Sequence, residues 1–277
     1  MPELPEVETI VRGLAPQLRG RRIEAVWWSG QPLHLRRPVN LKGLRALAVG
    51  RDITAVRRVG KYAIFDLAPT TKDAAAVLVH LGMTGRLRVL PRREARVPHT
   101  HVVFRLAGGD ELRFSDPRRF GWVEPVPALA DNPTLSRLGP DPLAALDAVT
   151  LAARLRGVRA PVKAFLLDQR RVAGLGNIYV SEALFRAGIH PSTPAGRLTR
   201  RAPTLLDGIR AALEGGIARR GTTLRDYVGA DGLPGENASA LLVYGREGQP
   251  CPRCGATIKR RVDAGRATFY CGHCQRR

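Results

Sequence analysis

No stretch of the sequence approaches the roughly 18 consecutive apolar residues of a membrane-spanning helix, and the acidic N-terminus lacks the basic-then-apolar pattern of a secretory signal. The expected location is therefore the cytoplasm. Cysteine is absent before residue 251, which excludes a disulfide framework for the body of the chain. Lysine is scarce: 5 of the 45 basic residues. Positive charge is thus carried by guanidinium groups, which suit bidentate contacts to phosphates and bases. Acidic residues are also few, 24 against 45 basic, and the resulting net charge of +21 implies a large polyanion as partner, nucleic acid first. Internal repeats are absent too.

What is there reads as two or three compact units: 277 residues, 44% of them hydrophobic. Short apolar and period-two runs follow the opening segment: "RIEAVWWSG", "DITAVRRV", "KYAIFDLA", "AAVLVHLGM", "GRLRVL" and "HVVFRLAGGDELRFS". They predict a β-sandwich or barrel up to about residue 125, with a hairpin turn at Gly108-Gly109-Asp110. The connector "EPVPALADNPTLSRLGPDPL" marks a boundary. Spacings of three and four then predict helices in "LAARLRG", "PVKAFLLDQ", "IYVSEALFRAG" and "TLLDGIRAALEGGIARR". Residues 221–237 have no periodicity and predict a loop.

Cys251, Cys254, Cys271 and Cys274 form two CxxC pairs 16 residues apart, the ligand spacing of one tetrahedral zinc ion. Four thiolates leave no open coordination position, so the expected ion is structural. His273 lies inside the second pair as a competing ligand, and Asp263-Ala264-Gly265 predicts the turn of a ribbon hairpin. Arg260, Arg261 and Arg266 on that ribbon favour a nucleic-acid contact.

In "RRVAGLGN" the G-x-G lacks the third glycine and the βαβ setting of a dinucleotide fingerprint. Asn177 instead reads as a helix N-cap, either without a ligand or beside an anion site whose anion is a phosphate. The opening "MPELPEVETIV" has two readings. In one, Pro5 starts a helix whose dipole Glu6 and Glu8 complement, above a buried stripe of Leu4, Val7, Val11, Leu14 and Leu18. Dipole complementation gives no reason for a proline at position 2.

The motifs "PELPEVE", "GKY", "HLGMTG", "DPRRFG", "GLGNIY", "GTTLRDY", "VYGREG" and the four-cysteine ribbon stand in one order over residues 2 to 274. Together they resemble the bacterial formamidopyrimidine-DNA glycosylase family. The resemblance implies an α+β multidomain fold: a catalytic β-sandwich with a leading helix (1–130), a helix-two-turns-helix domain (131–240) carrying a lesion-recognition loop (221–237), and a zinc ribbon (241–277). It implies base-excision repair: removal of 8-oxoguanine and formamidopyrimidines from duplex DNA, preferring cytosine opposite, with AP lyase activity by β,δ-elimination. One structural Zn2+, a monomeric state and nucleoid association complete the expectation.

Residue by residue, the resemblance makes Pro2 the nucleophile once Met1 is removed, since a free secondary amine forms an iminium and an amide nitrogen cannot. Glu3 becomes the general acid and base, Glu6 its support, and Lys61 a phosphate clamp in the catalytic site. His80, Asn177, Tyr244 and Arg266 become phosphate contacts. Met83, Arg118 and Phe120 match the wedge that fills the gap left by an extruded base. Thr222, Thr223, Leu224, Arg225, Asp226 and Tyr227 form the loop that covers it. Two alternatives are open: an endonuclease VIII-like enzyme for oxidised pyrimidines, which typically begins PEGPE and lacks the Met, Arg, Phe set, and a noncatalytic zinc-ribbon binder.

Overall fold

The computed structural model describes residues 2–34, 38–69 and 75–277; Met1 lies outside them. Two compact units result, residues 1–136 with 219–236, and residues 137–218 with 237–277.

The first unit opens with α1 (Leu4–Leu18). Glu3 caps it, and Glu3 and Glu6 close a reciprocal capping box with proline in the first turn. The predicted stripe is buried and is widened by Ile10. Then follow β1 (Ile23–Trp28), α2 (Leu41–Ala48), β2 (Ile53–Val59), β3 (Tyr62–Leu67), β4 (Ala76–His80), β5 (Arg86–Pro91), β6 (Thr100–Leu106), β7 (Asp110–Ser115) and β8 (Trp122–Val126). They form two antiparallel four-stranded sheets, ordered β1-β6-β7-β5 and β2-β3-β4-β8. One core holds α1 together with Val26, Phe104 and Phe114 of the first sheet and Phe65, Val79 and Val123 of the second. This is the expected β-sandwich with its leading helix. Gly108 and Gly109, both at φ 88°, make the predicted β6–β7 turn. The short helix α2 was not among the expected elements; its seed is Asn40, whose side chain accepts the Gly43 N–H and caps it.

The second unit contains α3 (Ala148–Leu155), α4 (Val162–Leu167), α5 (Asn177–Arg186), α6 (Ala202–Ala218) and the hairpin β9 (Lys259–Asp263) with β10 (Arg266–Tyr270). The hairpin turns through Ala264 and Gly265 at φ 47° and 74°. A small core of Phe185, Val243, Ile258 and Phe269 with Cys251 and Cys271 lies beneath the ribbon.

Segment 219–236 packs with the sandwich although helices precede it in the chain. Its anchor is a buried carboxylate of α1, a contact 216 residues distant in sequence that no local pattern announces.

Candidate functional site

Pro2 is buried, and so are Glu3 and Glu6, at 3% and 1% exposure. Burying two carboxylates beside each other is costly unless backbone amides meet them. Glu6 Oε2 accepts the Glu3 N–H at 2.8 Å and Oε1 accepts the Thr222 N–H at 2.7 Å. Tyr227 Oη donates to the Glu6 carbonyl at 3.3 Å and the Arg220 carbonyl at 3.1 Å. Burial, reinforced by the Glu6 charge, pushes the Tyr227 phenol well up, so it stays a donor. Between them Gly221 sits at φ +85°, where a Cβ would lie 3.0 Å from Glu6 Cγ. Glu8, by contrast, faces outward to Arg12 and Arg58, each at 2.7 Å, and serves the helix.

The loop carried by these bonds closes on itself through a Thr222–Glu236 bridge. Thr223 Oγ1 donates to the Tyr227 carbonyl and accepts the Gly235 N–H, both at 2.8 Å. Leu224, Arg225 and Asp226 are left exposed at the crown, whereas Thr222 and Tyr227 are buried feet.

Lys61 occupies the turn between β2 and β3 and is 7% exposed. His80, at the end of β4, stacks on Trp122 at 4.3 Å and tilts against Tyr62 at 5.0 Å. Its Nδ1 accepts the Gly82 N–H at 3.0 Å, which leaves Nε2 as the protonated nitrogen of a neutral ring. Burial, then the Lys61 and His34 charges, pull its pKa down to about 3. Since the folded pKa lies below the unfolded 6.5, the unfolded chain binds the extra proton, and stability falls as pH drops from about 6.5 towards 3. The limit is about 1.4 kcal/mol per pH unit. Urea melts of the wild type and His80→Gln should therefore show the wild type losing ground steadily over that range; parallel pH profiles would refute a neutral, half-buried His80.

Met83, Arg118 and Phe120 come from two loops that the fold presses together. Gly82 lies against the Phe120–Gly121 backbone so closely that a Cβ there would be 2.4 Å from Gly121 N. Asp116, fully buried, binds both loops: it accepts the Thr84 hydroxyl, the Arg118 N–H at 3.2 Å and the Gly121 N–H at 2.8 Å. Met83 and Phe120 emerge 37% and 44% exposed, with the Arg118 guanidinium 4.7 Å from the Phe120 ring centroid. Exposed apolar groups beside a guanidinium have the composition of an intercalating wedge. Asp116→Ala removes the acceptor of the Thr84 hydroxyl and the Gly121 N–H, while the Arg118 N–H keeps Thr84 Oγ1 at 3.3 Å, and should cost about 2–4 kcal/mol in urea denaturation, with Asp116→Asn costing less.

In the second unit Gly176, not Asn177, caps α5, so the expected N-cap role is corrected: Asn177 is the first helical residue. Its Nδ2 donates to the Ala267 carbonyl of β10 at 2.9 Å, a competing tertiary partner, while its Oδ1 is buried and unpaired among the described residues. Lys163 Nζ donates to the same carbonyl at 2.9 Å and to Thr268 Oγ1 at 2.7 Å. Tyr244 packs edge-on to Phe269 at 4.9 Å, on a loop whose Leu242, Val243 and Tyr244 N–H groups all donate to the buried Glu182 carboxylate at 2.9–3.0 Å. Arg266 is exposed. Sequence reasoning passed over Asp116, Lys163 and Glu182. Their only advance signal is a charged residue within an apolar or motif-bearing segment.

The four cysteine sulfurs lie within 4.8 Å of one another, with Cys251–Cys274 at 3.8 Å and Cys254–Cys271 at 3.6 Å. A tetrahedron of Zn–S bonds of about 2.3 Å has edges of about 3.8 Å, so the donors fit one zinc ion. His273 is exposed and outside the cluster. The Arg253 and Cys274 N–H groups donate to Cys251 and Cys271 sulfurs at 3.4 Å. Such bonds orient the thiolates.

A sandwich with a buried Pro-Glu start, a helical unit and a closed zinc ribbon are the parts of a DNA-repair glycosylase. Three family models divide the chain accordingly: formamidopyrimidine-DNA glycosylase N-terminal domain over 1–123, its H2TH domain over 138–228, and the zinc finger found in FPG and IleRS over 248–277. The chain belongs to the formamidopyrimidine-DNA glycosylase family: it is 48% identical to the enzyme of that name from Stenotrophomonas maltophilia (strain R551-3) over the whole of both chains. That from Alkalilimnicola ehrlichii is likewise 48% identical over both full lengths. Among solved structures, the MutM (Fpg) protein of Thermus thermophilus matches at TM-score 0.85 and 41% identity, covering 99% of this chain and 98% of that one. A Lactococcus lactis Fpg mutant in complex with DNA containing Fapy-dG matches at TM-score 0.89 and 33% identity over the full length of both.

Proposed function

We propose that this enzyme excises 8-oxoguanine and formamidopyrimidines from duplex DNA and then cleaves the strand at the abasic site, acting as a monomer and preferring cytosine opposite the lesion. The observation that carries the reading is the buried Pro2-Glu3-Glu6 cluster joined to the Thr222 backbone. After removal of Met1, the Pro2 amine has a reference pKa of about 7.7–8, so a useful fraction is neutral near pH 7. It attacks the anomeric carbon, the bond to the base breaks, and the base leaves with the electron pair and gains a proton. Glu3 protonates the sugar oxygen as the ring opens, giving an iminium; that cation draws electrons as the 3′ and then the 5′ phosphate is eliminated, and water finally releases the amine.

Extrusion of the base costs a few kcal/mol, and the exposed Met83, Arg118 and Phe120 supply the replacement, the guanidinium facing the orphaned cytosine. Lys61, His80, Asn177, Tyr244 and Arg266 hold backbone phosphates. The loop from Thr222 to Tyr227 covers the extruded base.

Borohydride trapping on a duplex with 8-oxoguanine opposite cytosine tests this reading. The expected result is a covalent adduct mapped by mass to an N-terminal Pro2. No adduct, from protein lacking Met1 and bound to the duplex, overturns it; an adduct only with oxidised pyrimidines transfers the chain to the endonuclease VIII-like reading.

A further inference from the structure

Outside the catalytic cluster, the first unit holds a cavity of about 290 Å³ between the face of β5 and β7 and the segment 219–236. Arg86 and Arg88 line it from β5, alternate residues on one face; opposite them in register stand Ser115 and Arg113 of β7. Val228 and Gly232 supply the facing wall.

The charges in this cavity are unbalanced. Arg113 is compensated by Glu111 at 3.0 Å and by the Ala95, Pro91 and Glu94 carbonyls. Arg86 and Arg88 are half-buried, and the Nε of each is a buried donor with no partner among the described residues. No carboxylate among the described residues lines the cavity, whose remaining polar wall includes His99. A buried donor left unpaired costs about 1–3 kcal/mol, and two adjacent guanidinium groups repel each other as well. Such pairs persist where an anion satisfies both, because the fork of guanidinium N–H groups matches the oxygens of a phosphate.

We propose that this cavity is an oxyanion site that takes a phosphate group and that its occupancy holds segment 219–236 on the sheet. The coupling is steric as well as electrostatic: Gly232, at φ +84°, lies so near Arg88 that a Cβ there would be 3.0 Å from the guanidinium carbon. Setting the Arg88 side chain therefore sets the wall that the recognition segment provides. The phosphate comes either free from solution or from a DNA backbone; only the second source rests on the function proposed above.

Thermal melts of the full chain, with inorganic phosphate titrated against chloride at constant ionic strength, test the free source. For the wild type the expected result is a saturable rise of about 3–6 °C at ten times Kd, lost in Arg86→Met and in Arg88→Met. Circular dichroism confirms that each variant is folded, and Arg86→Gln serves where the apolar replacement fails. If the group instead comes from DNA, free phosphate leaves the melt unchanged, and each variant makes the log–log salt slope of DNA binding shallower by about 0.9. A wild-type melt that does not respond to phosphate, together with folded variants whose salt slope equals that of the wild type, overturns the site.

Discussion

Protein that retains Met1, or carries any N-terminal extension, should lose base excision by about 10^4–10^6-fold while binding lesion DNA within a few-fold of the processed chain. The reason is chemical before it is structural. An amide nitrogen has no basic lone pair, so an internal Pro2 can neither attack the sugar nor form the iminium. Affinity should be almost unaffected, because the proposed wedge of Met83, Arg118 and Phe120 and the proposed phosphate contacts lie on other elements. Single-turnover kinetics with mass-verified N-termini, read beside anisotropy, separates the two effects. Full activity in a chain shown to keep Met1 would remove Pro2 from the mechanism and favour a noncatalytic role for the acidic helix. Glu3→Gln, which leaves the amine in place, should cost less, about 10^2–10^4-fold, as expected for a positioned acid and base.

The second large effect concerns zinc. Chelation, or Cys254→Ser, should weaken DNA binding by about 100-fold and make its salt slope shallower by roughly one to three phosphates. In isolated zinc modules the ion supplies about 10–16 kcal/mol of folding free energy, and here Cys251 and Cys271 also belong to the core formed by Phe185, Val243 and Phe269. Losing it loosens β10, whose Ala267 carbonyl receives Asn177 and Lys163, and the packing of Tyr244 on Phe269. Arg266, the first residue of the same strand, moves with them. The Pro2 cluster belongs to the other unit, so DNA bound at saturating protein should still be trapped by borohydride. Anisotropy with the metal content measured in the same samples gives the affinity; unchanged binding by metal-free protein would confine the ion to a passive role.

Much of this was legible in the chain because it is written locally. The α1 stripe, the period-two strands, the Gly108–Gly109 hairpin and the cysteine spacing each follow from geometry within a few residues, and net charge requires no geometry at all. The motifs singled out Met83, Arg118 and Phe120 in two separate segments, but only the packing of Gly82 against Gly121 brings those segments together. Asn177 shows the limit of local reading: its type suits a cap, yet a carbonyl 90 residues away engages its amide and Gly176 takes the cap.

Residue order alone specified the partner's sign of charge, the metal and its ligands, most of the helical and extended segments, and the proposed nucleophile, which depends on one position in the chain. Folding in three dimensions selected which buried carboxylate meets which backbone amide: Glu6 with Thr222, Asp116 with Arg118 and Gly121, Glu182 with the Tyr244 loop. A buried charge must find donors wherever the fold supplies them, at separations from two to more than two hundred residues, and no periodicity records that choice.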